Sequence, residues 1–383
     1  MKVIRTFPIL IEHSQDLIET LEVIKSIKND ISSVCYNSGK PLSGLALHKV
    51  VYETHKTKIN SQLLCSTIRL VAGAYASAKK NKHKLTGPFE FKKTSGLFLI
   101  GNRGRDASFS LNKTFSISSI FGRLKLNFEI PDCFKSTFDT AVIYNSINLH
   151  YINGKLKGWL ALSVDVPEPK GLQPVGVDLG EVCPIVATDN NGNTLLIKGG
   201  HQRVLKIRHR KLKAQIQRKR DTKKAQKKST RSTRKLLKRL SGKQRRRNKD
   251  TICCNAKKLV MWAPQDCVLV FEDLKFQQQN KKSKQRKGVR RRLTEWAYGE
   301  TLFRVKNKAE LKGISIELVD PSMTSQTCNN CGCVGTRVGR KFSCSSCGYS
   351  DHADVNASLN IRDKFTVLRS SGVQSMTPEA QTA

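Results

Sequence analysis

Four cysteines near the end of the chain restrict its local fold more strictly than any other feature. They form two Cys-x2-Cys pairs, Cys328/Cys331 and Cys344/Cys347, with twelve residues between the pairs. A two-residue interval lets both thiolates of a pair turn onto one ion, and four thiolates match the closed, tetrahedral coordination of structural Zn²⁺. The sequence therefore predicts one structural zinc ion, which would fix a segment too short and polar to fold around its own core.

Two neighbouring residues could in principle also bind that metal. Cys333 breaks the paired spacing, and His352 follows the second pair. Because four cysteines already complete the coordination shell, we expect Cys333 to be a bystander and His352 to be a surface histidine. Five of the twelve cysteines fall within residues 328–347, which favours a metal site in a reducing cytosol over disulfides.

The chain carries a large excess of positive charge. Its 383 residues include 69 Lys and Arg against 30 Asp and Glu, for a net charge of +39. Self-repulsion on this scale opposes compaction, so a polyanionic partner is expected, and nucleic acid is the obvious one. A membrane is disfavoured, since no apolar run approaches the about 18 residues of a transmembrane helix. The N-terminal stretch lacks a small-residue cleavage site and is interpreted as a strand, not a signal peptide.

The order of sequence patterns predicts a β-rich domain interrupted by helices and followed by an α/β domain. We assign residues 1–12 and 88–168 to a β-barrel-like domain, and residues 13–87, with apolar spacings of three and four, to an inserted helical lobe. Residues 169–363 contain short apolar strands, including VGVDLG and CVLVFEDL, and a last helix beginning near Asp351. Residues 364–383 are expected to form a disordered tail.

Two insertions are predicted within residues 169–363. Residues 201–250 hold 23 Lys and Arg but two acids, and no proline, which predicts a basic helix or helical hairpin within an insertion at 201–264. A charge run is often a solvated helix face, but this one lacks the acids that usually balance it, so contact with phosphates is favoured. The second insertion, 322–350, contains the cysteines.

Acidic residues end or follow several of the predicted strands. In a mixed sheet, functional groups collect at one end of the central strands. Alternation in VGVDLG places Asp178 on the same face as two glycines, beside an unobstructed surface. It does not choose between Glu272 and Asp273, and spacing does not choose between Asp351 and Asp354. Any one of these acids alone could simply cap a loop.

Taken together, these segments resemble RuvC-type, RNase H-like nucleases, and specifically the TnpB family of transposon-encoded, RNA-guided nucleases. The resemblance rests on four segments in family order, VGVDLGEVCPIVATDNNGN, VLVFEDL, VDPSMTSQTCNNCG and CSSCGYSDHADVNASLNI. It covers about residues 170–362. Residues 1–170 match only the family's general plan, a β-rich wedge domain interrupted by a helical recognition lobe.

The resemblance implies that Asp178, Glu272 and Asp354 are catalytic acids that hold two Mg²⁺ ions for phosphodiester hydrolysis. Asp354 is preferred to Asp351 because the family's aspartate directly precedes an xNA motif, here residues 355–357. Met323 departs from the family, whose members usually carry an aromatic residue before TSQTC. We expect this departure to change local packing or the substrate path.

The resemblance further implies guide RNA and target DNA as partners of a monomer in the prokaryotic cytoplasm, associated with the nucleoid. Sequence choice would lie mostly in RNA–DNA pairing, with a short flanking motif read by the protein. Trp296 and Tyr298 could stack on bases or pack within a helix. The cations expected to line the nucleic-acid channel are Arg208, Arg210, Lys211, Arg218, Arg245, Arg246, Arg290, Arg291 and Arg292.

Other functions remain open at this point. A small type V CRISPR effector nuclease would carry the same protein motifs, because its RNA locus is what distinguishes it. A nuclease-dead, RNA-guided repressor or a zinc-ribbon DNA-binding protein would have no need of the three acids. A DNA-strand transferase of the same fold would need to recognise transposon ends, which no segment indicates.

Overall fold

The structure is a computed structural model that describes residues 1–92, 96–100, 106–110, 112–171, 173–274 and 297–371, without the side chains of residues 110 and 142–144. The chain divides into two units, Met1–Asp165 and Val166–Ala383. The sequence-based boundary fell three residues later, between residues 168 and 169. Within the described ranges, none of the helices combines the length and apolar character needed to cross a membrane.

The first unit is built on a seven-stranded sheet. In chain order its elements are β1 (Lys2–Ile11), α1 (Gln15–Asn37), α2 (Gly44–His55), α3 (Ser61–Lys80), β2 (Leu97–Ile100), β3 (Ala107–Ser110), β4 (Thr114–Ser119), β5 (Gly122–Glu129), α4 (Lys135–Phe138), β6 (Ala141–Ile152) and β7 (Lys155–Asp165). The strand order is β2-β6-β7-β1-β5-β4-β3, and each neighbouring pair is antiparallel. The first strand thus pairs with strands that follow the inserted helices.

The second unit is a mixed α/β structure. Its elements are β8 (Gln173–Asp178), β9 (Ile185–Thr188), β10 (Thr194–Ile197), α5 (Gly200–Ala225), α6 (Arg231–Trp262), β11 (Cys267–Glu272), α7 (Tyr298–Leu311), β12 (Ser315–Val319), β13 (Thr336–Val338), β14 (Lys341–Ser343), β15 (Ser350–His352) and α8 (Ala353–Ser370). A five-stranded sheet has the order β10-β9-β8-β11-β12. Strands β8, β11 and β12 are parallel, and β9 and β10 are antiparallel additions.

Helices cover both faces of this five-stranded sheet. On one face, Val177, Leu269 and Phe271 pack with residues of α6 and α7. On the other face, Val268 and Val270 pack with α8. A parallel strand buried on both sides needs a nearly continuous apolar sequence, which explains why β11 reads CVLVF before its terminal acid.

Helix α8 lies directly against β8 at Gly176, a contact that corrects one sequence-based expectation. A Cβ atom added to Gly176 would lie 1.9 Å from the backbone oxygen of Ser358. The surface beside Asp178 is therefore covered by a helix and not unobstructed. The absence of a side chain at Gly176 is what lets the helix carrying Asp354 approach the strand that carries Asp178.

The bounds of α8 correct one further prediction. The helix begins at Ala353, two residues after Asp351, because residues 350–352 form the third strand of a small sheet with β13 and β14. It also continues to Ser370, so residues 364–370 are helical and not a disordered tail. Phe365 and Leu368 explain this extension, since both pack against the five-stranded sheet. Residues 372–383 lie outside the described residues.

Candidate active site

Two acids stand side by side at the carboxyl edge of the five-stranded sheet. Val177 of β8 pairs with Phe271 of β11 in parallel register, so the next residues, Asp178 and Glu272, end neighbouring strands. Asp354 comes from the first turn of α8 and is buried. The charges of Glu272 and Asp354 both act on Asp178. The fold therefore brings together three acids that are separated by up to 176 residues of sequence.

Burial and mutual repulsion perturb this acid cluster. Burial, followed by the charges of Glu272 and Asp354, raises the pKa of Asp178 to about 8, and the charge of Arg337 opposes this rise. Burial also raises the pKa of Glu272, against a hydrogen bond from Thr324. Carboxyl groups that repel one another in a buried place are relieved by a cation, so this cluster has the electrostatics of a metal-binding site.

Asp354 is held by three local interactions. Its Oδ1 accepts a hydrogen bond of 2.6 Å from Nη2 of Arg337, which lies on β13. Its backbone N–H donates to Nδ1 of His352, which makes the histidine the N-cap of α8. Its position in the first helical turn is also favourable for a negative charge. The expected surface histidine is thus a half-buried helix cap, because β15 ends directly at the helix start.

The two acids that sequence left as alternatives have different surroundings. Asp351 is exposed, its Oδ2 accepts from the Tyr349 hydroxyl at 3.0 Å, and its Oδ1 accepts from the His352 backbone. The backbone N–H of Asp273 donates to Val319 at 2.8 Å. Neither acid is among the groups that perturb Asp178, whereas Glu272 and Asp354 are.

Ligand atoms come closest together in two groups within the described part of the chain. The four sulfur atoms of Cys328, Cys331, Cys344 and Cys347 form one group, and Cys183, His352 and Asp354 form the other, with ligand atoms within 4.8 Å of one another. Asp178, Glu272 and Asp354 do not form such a group. Within the described residues, these three carboxylates therefore do not all have oxygens within 4.8 Å of one another.

The four cysteines have the spacing of a tetrahedral metal site. The Sγ atoms of Cys328 and Cys347 lie 3.7 Å apart, and those of Cys331 and Cys344 lie 3.6 Å apart. A tetrahedron with Zn–S bonds of about 2.3 Å has sulfur–sulfur edges of about 3.8 Å, which these distances match. The cluster could hold a metal ion such as zinc, and Cys333 lies outside it.

The basic insertion forms two long helices, α5 and α6, which together we call the basic hairpin. Among the predicted cations, Arg210 is half-buried, and the exposed ones are Arg208, Lys211, Arg218, Arg245 and Arg246. Arg290, Arg291, Arg292 and Trp296 lie outside the described residues.

The base-stacking alternative for Tyr298 is wrong, because its ring is buried in the core and its hydroxyl donates to the backbone oxygen of Glu272.

Sequence reasoning missed two residues that contact the acids. Arg337 falls between the cysteine pairs, where its charge has no partner near in sequence, and it reaches Asp354 only because β13 folds back. Thr324 donates its hydroxyl hydrogen to Oε1 of Glu272. Thr324 is the first residue of the TSQTC motif, which indicates the family resemblance but not a contact with Glu272. Met323, next to it, has a positive φ of 61° and is largely exposed.

Parts of the chain are similar to known proteins. The profile of the Cas12f1-like TNB domain family matches residues 298–361. A CRISPR-associated endodeoxyribonuclease Cas12f1 of Sulfoacidibacillus thermotolerans is 42% identical over 72 residues, which is 18% of this chain and 17% of that protein. A TnpB-like protein of Methanocaldococcus jannaschii is 33% identical over 133 residues, 34% of this chain and 47% of that protein. Over parts of its length the chain is therefore similar to proteins of the TnpB/Cas12f type.

The chain is also similar in fold to a solved structure. The chain is similar to a Cas12f1 solved by cryo-electron microscopy in complex with sgRNA and target DNA, with a TM-score of 0.60 and 18% identity over 91% of this chain and 83% of that one. The sequence matches span less than half the length of the two curated relatives. The activity and partners of the whole protein are therefore matters for a proposal.

Proposed function

We propose that this protein is a transposon-encoded, RNA-guided endonuclease that cuts double-stranded DNA at a RuvC-type site. One observation carries the proposal: Asp178, Glu272 and Asp354 come together at the edge of a mixed sheet, where burial and then the charges of the other two acids raise the pKa of Asp178. A protein that only binds nucleic acid gains nothing from gathering three acids that repel one another, one of them buried and two partly buried. A strand order of two antiparallel additions followed by three parallel strands also suits an RNase H-like domain.

These three acids would hold the Mg²⁺ ions of the reaction. Hard cations such as Mg²⁺ prefer carboxylate oxygens, which is the ligand chemistry that these three residues supply. When bound, a pair of Mg²⁺ ions would activate the attacking water and stabilise the leaving 3′-oxygen. The described chain would contribute three carboxyl groups, of which that of Asp354 is buried and the other two are partly buried, and the Arg337 guanidinium beside Asp354.

The zinc element would have a structural role and not a chemical one. A closed four-cysteine site leaves no coordination position for substrate. Its contribution is to fix β13, which carries Arg337, and the start of α8, which carries Asp354. In the same proposal the first unit serves as the wedge domain and recognition lobe, and the exposed cations of the basic hairpin contact guide RNA or heteroduplex.

Two related functions are the alternatives. The first is a small type V CRISPR effector, which differs in the source of its guide RNA. The sequence match to a Cas12f1 supports this alternative. A guided repressor without cleavage is less compatible, because it would not need the acid cluster. Both alternatives share the prokaryotic cytoplasm as their setting.

The test is to purify the protein from cells that carry its native locus, sequence the RNA bound to it, and assay cutting of matching double-stranded DNA with Mg²⁺. We expect a defined RNA, cutting that follows a redesigned guide segment, and products with 5′-phosphate ends. A sequence-indifferent nuclease without RNA would contradict the guided mechanism. Guided binding without cutting would instead support the repressor.

A further inference from the structure

The loop between β12 and the first cysteine links the metal-binding cysteines to the acid cluster. This loop, residues 321–329, is here called the connecting loop, and it contains the TSQTC motif. Thr324 is 2% exposed, and its hydroxyl donates to Oε1 of Glu272. Four residues later, Cys328 provides one of the four clustered thiols. The same short segment therefore touches a proposed catalytic acid and the proposed zinc.

Two buried asparagines of α8 hold the backbone of the connecting loop. Nδ2 of Asn360 donates to the backbone oxygens of Thr324 and Thr327, at 2.8 and 2.7 Å. Nδ2 of Asn356 donates to Thr327 at 2.7 Å, and its Oδ1 accepts from the backbone N–H of Asn329 at 3.0 Å. These bonds span both sides of Cys328. They fix the connecting loop to the helix that carries Asp354.

The interaction of Thr324 with Glu272 differs from an ordinary packing contact. Glu272 ends strand β11, and the buried Thr324 hydroxyl donates directly to its Oε1. A hydrogen bond from a buried hydroxyl restricts the rotation of the carboxylate. This orients the carboxylate to bind a metal ion, as hydrogen bonds to metal ligands commonly do.

We infer that Thr324 is a positioning residue for Glu272, and that Asn360 in turn holds Thr324 in place. The connecting loop thereby couples the zinc element to the affinity of the catalytic site for its metal. This inference rests on the proposed function, because it assumes that Glu272 is a metal ligand. It predicts that removing the Thr324 hydroxyl weakens divalent metal binding without removing the zinc.

The test compares the full-length Thr324→Val and Thr324→Ser variants by isothermal titration with Mn²⁺, with zinc content and circular dichroism measured on the same samples. Valine keeps the volume and removes the donor, whereas serine keeps the donor. We expect Thr324→Val to weaken Mn²⁺ binding about 10- to 100-fold. Thr324→Ser should stay within about threefold of wild type, and both should retain one zinc.

Asn360→Asp is the second variant, since it removes the amide donor while leaving the Thr324 hydroxyl. It should weaken Mn²⁺ binding in the same direction. Wild-type Mn²⁺ affinity in Thr324→Val would overturn the inference, as would loss of zinc from that variant, because Thr324 would then only stabilise the loop. If Glu272→Gln binds Mn²⁺ as wild type does, the metal-site assignment fails as well, and that result separates the two failures.

Discussion

Asp178 is the residue whose properties depend most on its neighbours. An isolated aspartate has a pKa of 3.8, whereas burial and the charges of Glu272 and Asp354 raise the pKa of Asp178 to about 8. Between about pH 4 and pH 8, Asp178 stays protonated in the folded protein and is ionised in the unfolded chain. The folded state therefore loses stability progressively as the pH rises through this range.

Asp178→Asn should consequently stabilise the protein in buffer without divalent cations, and more at pH 8 than at pH 5. We expect the increase in Tm to be at least about 2 °C larger at the higher pH, which corresponds to about 1 kcal/mol in a domain of this size. Asp351→Asn is the matched control, because Asp351 is exposed. Equal increases at both pH values would contradict the account of this site.

Gly176 determines the placement of a whole element. Because a Cβ at this position would overlap the backbone of α8, Gly176→Ala must displace either the helix or the strand. We expect the free energy of unfolding to fall by about 2 kcal/mol or more, as for other overpacked sites. Urea denaturation measures this, and cleavage should fall with it because Asp354 moves. Gly200→Ala is the control, since a Cβ there meets nothing within 4 Å.

The contact at Gly176 also shows which parts of the fold the sequence could predict and which it could not. Apolar runs were enough to identify β8 and β11, because strands buried on both faces read as continuous apolar sequence. They could not show where α8 lies, since one glycine in a strand does not say which element approaches it. Choosing between Asp351 and Asp354 therefore needed the family resemblance. The pairing of Arg337 with Asp354 depends on how β13 folds, which no spacing encodes.

The basic hairpin makes its own prediction. Arg218, Arg245 and Arg246 are exposed on α5 and α6, so each can reach a phosphate at little structural cost. The triple alanine variant should bind guide RNA more weakly, and the slope of log K against log salt should become shallower by about 0.7 for each phosphate that the protein no longer neutralises. Lys135→Ala is the control, because Lys135 is paired with Asp132. An unchanged slope would remove these residues from the interface.

At the scale of the whole molecule, the net charge of +39 and the acid cluster have to be explained together. A polycationic surface accounts for binding to nucleic acid but not for three clustered acids, one buried and two partly buried. Cleavage accounts for both, because the acids would hold cations at the phosphate that the basic surface attracts. The central claim is therefore that Asp178, Glu272 and Asp354 form one nuclease site.

The most direct test is the rate at which the RNA-bound protein cuts matched DNA in Mg²⁺, compared between Asp354→Asn and Asp351→Asn. These acids are three residues apart, but Asp354 is buried beside Arg337 and Asp351 is exposed. We predict that Asp354→Asn lowers the rate by at least about 1,000-fold, or about 4 kcal/mol of activation free energy, with DNA binding retained. Asp351→Asn should cut at the wild-type rate. Normal cutting by Asp354→Asn, or loss only in Asp351→Asn, would contradict the account.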